Sequence, residues 1–204
     1  MVESLISFSL ATLALAISPG PDNIYVLTQS LVNGSRSGIS TTAGLISGCI
    51  VHTTLLAFGI SAIIAASPAL FYGIKVAGAF YLLFLAYKVL KSPSEIVLGH
   101  EAPQKTQKEL FWTGVIMNLV NPKVMIFFLA FFPAFLWNPA EATVQQFYIL
   151  GLTFMIVSFI TFSSIALLAG SISGYLRSHQ RTGLYLKWLQ IIVFVGIAIY
   201  IVLP

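Results

Sequence analysis

Charged side chains are what this sequence most obviously lacks. Only 8% of its 204 residues are Asp, Glu, Lys or Arg, whereas 58% are hydrophobic, and the mean hydropathy is +0.95. Soluble domains contain about 25% charged residues, so this composition excludes a soluble protein and indicates one that lies within a lipid bilayer. A transmembrane helix takes about 20 apolar residues, which leaves almost no length for a separate soluble domain.

Cysteine is almost absent as well. Because Cys49 is the only cysteine, the chain can form neither an internal disulfide nor a two-thiol redox centre. This excludes a thiol-disulfide electron carrier, an enzyme class that can be built on a similar six-helix plan. The sequence also has no Walker-type glycine loop for a nucleotide. We therefore expect no enzyme activity, no catalytic residues, no cofactor and no resident metal.

Six apolar stretches are each long enough to cross a membrane. We accordingly predict an all-α membrane protein with six transmembrane helices, each in contact with the lipid bilayer. The predicted spans are residues 5–32, 39–67, 71–90, 110–137, 144–170 and 184–203.

The net charge of +4 does not indicate a nucleic-acid partner, because the basic residues follow the loops of a membrane topology. They cluster after the first, third and fifth spans, and the opposite loops carry few of them. The positive-inside rule then places both termini outside the cell and residues 91–109 in a cytoplasmic linker. The basic residues on the predicted inner side are Arg36, Lys88, Lys91, Lys105, Lys108, Arg177, Arg181 and Lys187.

Helix-breaking residues interrupt the first and fourth spans. The run S-P-G-P-D-N occupies residues 18–23, with Pro19 and Pro21, and N-L-V-N-P-K occupies residues 118–123, with Pro122. Irregular backbone survives at membrane depth only where protein or a water-filled cavity satisfies its polar groups. We therefore predict that helices 1 and 4 are broken at Pro21 and Pro122, and that a cavity lies beside the breaks.

The two halves of the chain have the same plan. Residues 1–90 and 110–204 each contain a broken helix, a helix rich in small residues and a plainer helix. Because three spans is an odd number, the second half inserts upside down relative to the first. Two inverted three-helix repeats follow, and such repeats bind their substrate near the midplane, where the broken helices meet.

The polar residues at the breaks are the candidate site. Gly20 and Asn121 suit the N-cap position before a first-turn proline. Lys123 opposes the helix dipole and is costly to bury, so we expect Asp22 or a substrate carboxylate to compensate its charge. A purely structural Asp22–Lys123 pair stays open.

Three amides and one histidine complete the candidates. Asn23, Asn118 and Asn121 can donate to a carboxylate and accept from an ammonium, or can simply satisfy freed backbone groups. His52 follows Gly44 and Gly48 on one helical face and can carry a proton, although a core histidine held by hydrogen bonds is the plainer interpretation.

Four segments together resemble a known family. They are the SPGPDN run, GLISGCIVH at 44–52, KVAGAFYLLFLAYKVLK at 75–91 and FWTGVIMNLVNPKVMIFFLAFFPAF at 111–135. The sequence resembles the LysE/RhtB-type amino-acid exporters. This resemblance implies efflux of amino acids or close analogues across a bacterial inner membrane, driven by the proton-motive force.

Combining the resemblance with the residues gives one leading function and two alternatives. We expect a secondary exporter that works by proton antiport with alternating access. Its substrate would bind at Gly20, Asp22, Asn23, Asn118, Asn121 and Lys123, and Asp22 and His52 would couple protons. Walls from Tyr25, Phe127 and Phe128 favour a neutral amino acid. The alternatives are a divalent metal-ion exporter and a non-transporting membrane scaffold, and a homo-oligomer stays open.

Overall fold

The fold is helical throughout the residues that a computed structural model describes, which are 1–93, 102–139, 141–179 and 181–202, without the side chains of Ala65, Pro68, Lys123, Ile126 and Arg177. The prediction of an all-α protein is confirmed. The helices are α1 (Val2–Ile17), α2 (Pro21–Asn33), α3 (Ser35–Ala66), α4 (Pro68–Lys91), α5 (Gln107–Leu119), α6 (Pro122–Phe131), a 3₁₀ helix (Phe132–Phe135), α7 (Thr143–Leu167), α8 (Ala169–Ser178) and α9 (Thr182–Val202).

Four of these helices, α3, α4, α7 and α9, are long and apolar enough to cross a membrane. A fifth crossing is formed if α1 and α2, which meet at a 60° bend, count as one broken span. With 13 and 10 residues, α5 and α6 are each shorter than the ~20 residues that a crossing needs. The described residues thus supply four or five spans, and the count of six stays a prediction.

A proline begins the second helix at both interruptions, and the backbone of the first interruption is extended. Ser18 ends α1, and Gly20 is the N-cap of α2 in an extended conformation with φ −154°, so that Pro21 takes the first helical position. In the second half, α5 ends at Leu119 and α6 begins at Pro122. Proline fits the first turn of a helix because the N–H that it lacks would have no helical acceptor there.

Glycine sets the packing of α3 against α5. A Cβ added at Gly44 would lie 1.9 Å from the carbonyl oxygen of Phe111, and one at Gly114 would lie 2.3 Å from that of Thr41. The two backbones therefore touch, which only residues without a side chain allow. The small-residue face of α3 therefore packs directly against α5.

Phenylalanine fills the space between α1, α6 and α7. Phe8 stacks on Phe131 with 5.1 Å between ring centroids, and Phe128 lies 4.2 Å from Phe132 and 5.0 Å from Phe154. All of these rings are buried. Aromatic contacts of this kind give the broken helix α6 a rigid support.

Two boundaries differ from the sequence prediction. The fifth predicted span, 144–170, stops as α7 at Leu167, and α8 follows as a separate helix whose Ile172 and Leu176 pack beside Leu27 of α2. The second is that α5 begins at Gln107, within the predicted linker 91–109, which stays a prediction. Residues 94–101 of that linker lie outside the described residues.

A capping box starts α5 before the predicted span. The amide of Glu109 donates to Thr106 Oγ1 at 3.3 Å, and Glu109 Oε2 accepts from the Thr106 amide at 2.7 Å and from its hydroxyl at 2.8 Å. The bonds from the backbone and then the hydroxyl of Thr106 lower the pKa of the Glu109 carboxyl. This carboxylate thus stabilises the folded state above its unfolded pKa, and the effect is lost as pH falls through the lower folded value.

We expect Thr106→Ala to lower the free energy of unfolding by about 1 kcal/mol at pH 7, because the helix loses its N-cap acceptor. The difference from wild type should shrink below about pH 4, the ordinary range of a glutamate. Thermal unfolding in detergent at pH 7 and pH 3 measures both effects. Equal unfolding temperatures at pH 7 would contradict a stabilising role for the capping box.

Candidate functional site

The two helix breaks lie side by side. Asn121 Nδ2, at the start of α6, donates a hydrogen bond to Asp22 Oδ2, in the first turn of α2, at 3.3 Å. These residues are separated by 99 positions in the chain. The fold thus brings together the interruptions that the sequence places in separate halves.

A cavity opens at this meeting point. The volume of this cavity that the centre of a water molecule can occupy is about 70 Å³. Measured in the same way, a single water needs only about 10–15 Å³. It therefore has room for several waters or for part of a small ligand. The lining residues are Leu15, Ala16, Ser18, Gly20, Pro21, Asp22, Asn23, Leu45, Ile46, Cys49, Asn118, Asn121, Val124, Phe127, Phe154, Ser158 and Phe162.

Helix ends of both polarities border the cavity. Gly20 and Asn121 precede the N-termini of α2 and α6, which carry partial positive charge, while Ser18 and Asn118 lie at the C-terminal ends of α1 and α5, which carry partial negative charge. An anionic and a cationic group of one ligand can therefore both be stabilised here. Broken helices in secondary transporters use their ends in this way.

Asn23 forms a hydrogen bond with a backbone carbonyl group that has no helical donor because of the first break. Its Nδ2 donates to the carbonyl oxygen of Ala16 at 2.6 Å, near the end of α1, where helical donors run out. The same side chain lines the cavity. Its structural role is therefore visible directly, and its second, ligand-binding role stays a prediction.

Asn118 ties the second break to α3. Its Nδ2 donates to Cys49 Sγ at 3.5 Å, and its backbone oxygen lies 3.2 Å from His52 Nε2. A Cβ at Gly48 would stand 2.6 Å from Asn118 Oδ1, so the glycine provides the space for this amide. Cys49 is buried and lines the cavity as a small side chain.

His52 supports the site from outside. It is buried, its ring lies 5.5 Å from that of Phe128, and it is not among the residues that line the cavity. Of the three predicted aromatic walls, Phe127 lines the cavity, whereas Phe128 packs against His52. The hydroxyl of Tyr25 accepts from Gln29 Nε2 at 3.2 Å, and Tyr25 is not part of the lining either.

Lys123 belongs to the first turn of α6, but its side chain lies outside the description. Its pairing with Asp22 thus stays a prediction. In the part of the chain that the structure describes, no three His, Cys, Asp or Glu side chains lie close enough to hold a metal ion.

Sequence reasoning missed the wall that α7 contributes. Phe154, Ser158 and Phe162 follow one another at intervals of four along the chain, and all three line the cavity. That spacing puts them on one face of a helix. The interval was readable from the sequence, but nothing local showed that this face meets the breaks.

The chain is similar in sequence to proteins of one described family. The family model described as LysE type translocator matches residues 13–203. A homoserine/homoserine lactone efflux protein of Salmonella typhimurium is 30% identical over 175 residues, 86% of this chain and 84% of that protein. The protein of the same name from Salmonella typhi is 31% identical over the same shares. No solved structure matches the chain.

The family match covers nearly all of the described helices, and the relatives align over most of their own length. The two breaks, the glycine contacts of α3 with α5 and the cavity lie inside the matched range. The chain belongs to the LysE type translocator family.

Proposed function

We propose that the protein exports a small neutral amino acid or a close analogue in exchange for protons, with homoserine and its analogue homoserine lactone as the first candidates. The observation that carries this proposal is the juxtaposition of the two breaks at Asp22 and Asn121, beside a cavity. Helix ends of both signs suit the carboxylate and ammonium of an amino acid. The printed names of the two Salmonella relatives supply the candidate substrates.

The cavity wall favours a neutral side chain. Leu45, Phe127 and Phe154 supply apolar surface on α3, α6 and α7, and Asp22 is the one carboxylate among the lining residues that the structure describes. A substrate with a second positive charge would need a second carboxylate. Homoserine, whose side chain is short and uncharged, has no such need.

Asp22 is the group that we propose to carry the coupled proton. It lies at the cavity, where it can meet substrate and water in turn, and an intramembrane carboxylate is a functional group by default. We assign Lys123 the substrate carboxylate when Asp22 is protonated. The sequence predicts a proton-coupling role for His52, but His52 is not among the residues that line the cavity. We propose instead that His52 positions Asn118 through its contact with the Asn118 backbone oxygen.

Alternating access needs two units that move against each other, and helix contacts support the inverted-repeat plan. The pair α3 and α5 has its counterpart in α7 and α1, and the pair α2 and α7 has its counterpart in α6 and α3. A two-fold relation between residues 1–90 and 110–204 would produce these two exchanges, although the contacts of α2 with α3 and of α4 with α6 have no comparable counterpart among the described residues. We propose that one repeat rocks against the other around the paired breaks.

The test of this function is transport by purified protein in liposomes. With an acidic lumen and a neutral medium, an antiporter lets protons leave and accumulates substrate inside. We expect labelled homoserine to accumulate, labelled lysine to stay near the level of empty liposomes, and a protonophore to abolish the signal. Accumulation of a divalent metal ion but of no amino acid would favour a metal-ion exporter, and no accumulation of any solute would favour a scaffold.

The proposed membrane is the bacterial inner membrane, with both termini outside. We expect an impermeant thiol reagent to label Asn138→Cys but not Ser94→Cys in intact cells, in a Cys49→Ala background. The reason is the clustering of Lys and Arg in alternate loops. Labelling of position 94 with protection of position 138 would invert the topology.

A further inference from the structure

Ser158 is a buried hydroxyl that its own helix does not use. The side chain is 3% exposed and lines the cavity. On the same helix, Thr153, Thr161 and Ser164 each donate to a carbonyl oxygen one turn earlier, at 2.9, 2.8 and 2.8 Å. Within the described residues, Ser158 Oγ has no such bond and no other side-chain partner.

Its position distinguishes Ser158 from Ser163, another hydroxyl of α7 that has no hydrogen-bond partner. Ser163 Oγ also lacks a hydrogen-bond partner, but that atom is fully buried. Ser158 Oγ is not one of the fully buried unpartnered atoms, and Ser158 lines the cavity. A hydroxyl taken out of water without a hydrogen bond is unfavourable, so an atom placed in this way has a reason to meet a ligand.

The neighbours of Ser158 define what that ligand group can be. Phe154 and Phe162, one turn away on either side, also line the cavity, so the hydroxyl is a single polar point on an apolar wall. A charged substrate side chain is disfavoured against this wall because none of the α7 residues that line the cavity is charged. A hydroxyl both donates and accepts, and it can therefore serve either an alcohol or a carbonyl oxygen.

We infer that Ser158 selects the substrate's side chain by a hydrogen bond to its terminal oxygen, which restricts the protein to short neutral side chains that carry a hydroxyl or carbonyl group. This inference rests on the proposed function, since it takes the amino and carboxylate groups to lie at the breaks. The amino and carboxylate groups of the substrate fix its position at the breaks, and Ser158 forms a hydrogen bond with the end of its side chain.

The test compares two ligands of equal size. Norvaline has a methyl group where homoserine has its hydroxyl, so their affinity ratio reports on that one oxygen. Binding is measured on the full-length protein in detergent, by displacement of labelled homoserine, and needs no proton gradient. We expect Ser158→Ala to weaken homoserine by about 2–12-fold, the worth of one neutral hydrogen bond, and to leave norvaline unchanged or tighter.

Two further variants control for structural effects. Ser158→Thr keeps the hydroxyl and should keep the preference for homoserine. Ser164→Ala removes a hydroxyl that bonds only the backbone of the same helix, and it should leave the ratio as in the wild-type protein.

An unchanged ratio of the homoserine and norvaline affinities in Ser158→Ala, whether or not both affinities fall, would overturn the role of Ser158. The proposed function would still stand. If the wild-type protein binds neither homoserine nor norvaline, the proposed substrate class is wrong and this inference falls with it.

Discussion

Asp22→Asn should abolish the accumulation of homoserine driven by a pH gradient, to the level of empty liposomes. Asparagine has nearly the same shape and still offers an oxygen to Asn121 Nδ2, which donates to Asp22 at 3.3 Å in the native protein. It cannot take up or release a proton. The variant should therefore fold and bind but lose coupling.

Exchange of labelled for unlabelled homoserine, without a gradient, separates coupling from binding. We expect Asp22→Asn to keep this exchange. Glu3→Gln is the matched control, because Glu3 is an exposed carboxylate in the first turn of α1, and it should transport as the wild-type protein does. Full gradient-driven accumulation in Asp22→Asn would show that another group carries the proton.

Substitution of Lys123 provides a second test of the roles proposed for the two charged residues at the breaks. Lys123→Met should also abolish driven transport, since it removes the proposed partner of the substrate carboxylate. The double variant, Asp22→Asn with Lys123→Met, distinguishes function from mere charge balance. A double variant that folds but does not accumulate homoserine supports the assigned roles, whereas transport near the wild-type rate would mean that the two charges serve only each other.

Gly44→Ala should destabilise the fold by about 3 kcal/mol or prevent folding, the upper end of the usual cost of overpacking. The added Cβ would lie 1.9 Å from the carbonyl oxygen of Phe111 and 2.8 Å from its carbon. Both atoms are backbone, so no side chain can rotate away, and α5 would have to move from α3. That movement would also displace Asn118 and the second break.

Gly59→Ala provides the comparison within the same helix. Nothing lies within 4 Å of a Cβ at Gly59, and alanine is the better helix former by about 1 kcal/mol, so this variant should be as stable as the wild-type protein or more so. Thermal unfolding in detergent and the yield of monodisperse protein measure both variants. Similar stability of Gly44→Ala and Gly59→Ala would contradict the close approach of α3 and α5.

The parts of the site that the sequence revealed are those with a local chemical signal. Pro21 and Pro122 stand in apolar runs, which marks interruptions whatever the tertiary structure. Gly44, Gly48 and His52 share a helical period, which marks one face. In each case, residues within a single turn or stretch carry the information.

The parts that it did not reveal depend on how distant helices meet. Ser158 lies among other small residues of α7, and only the packing of α7 against the breaks distinguishes its hydroxyl from that of Ser163. Phe128 and Tyr25 have the right chemistry for a cavity wall, but the rotation of their helices directs them to His52 and Gln29 instead. Helix rotation follows from the packing of the whole bundle, which no local pattern fixes.

Proton movement during homoserine entry tests the central claim most directly. Liposomes that contain the protein and a pH-sensitive dye, with equal pH on both sides, receive homoserine from outside. We predict that the lumen becomes alkaline as homoserine enters, because antiport moves protons out of the lumen in exchange. In Asp22→Asn liposomes we predict no change in the lumenal pH. Entry of homoserine into wild-type liposomes with a constant lumenal pH, or an unaltered response in Asp22→Asn, would contradict proton antiport at the paired breaks.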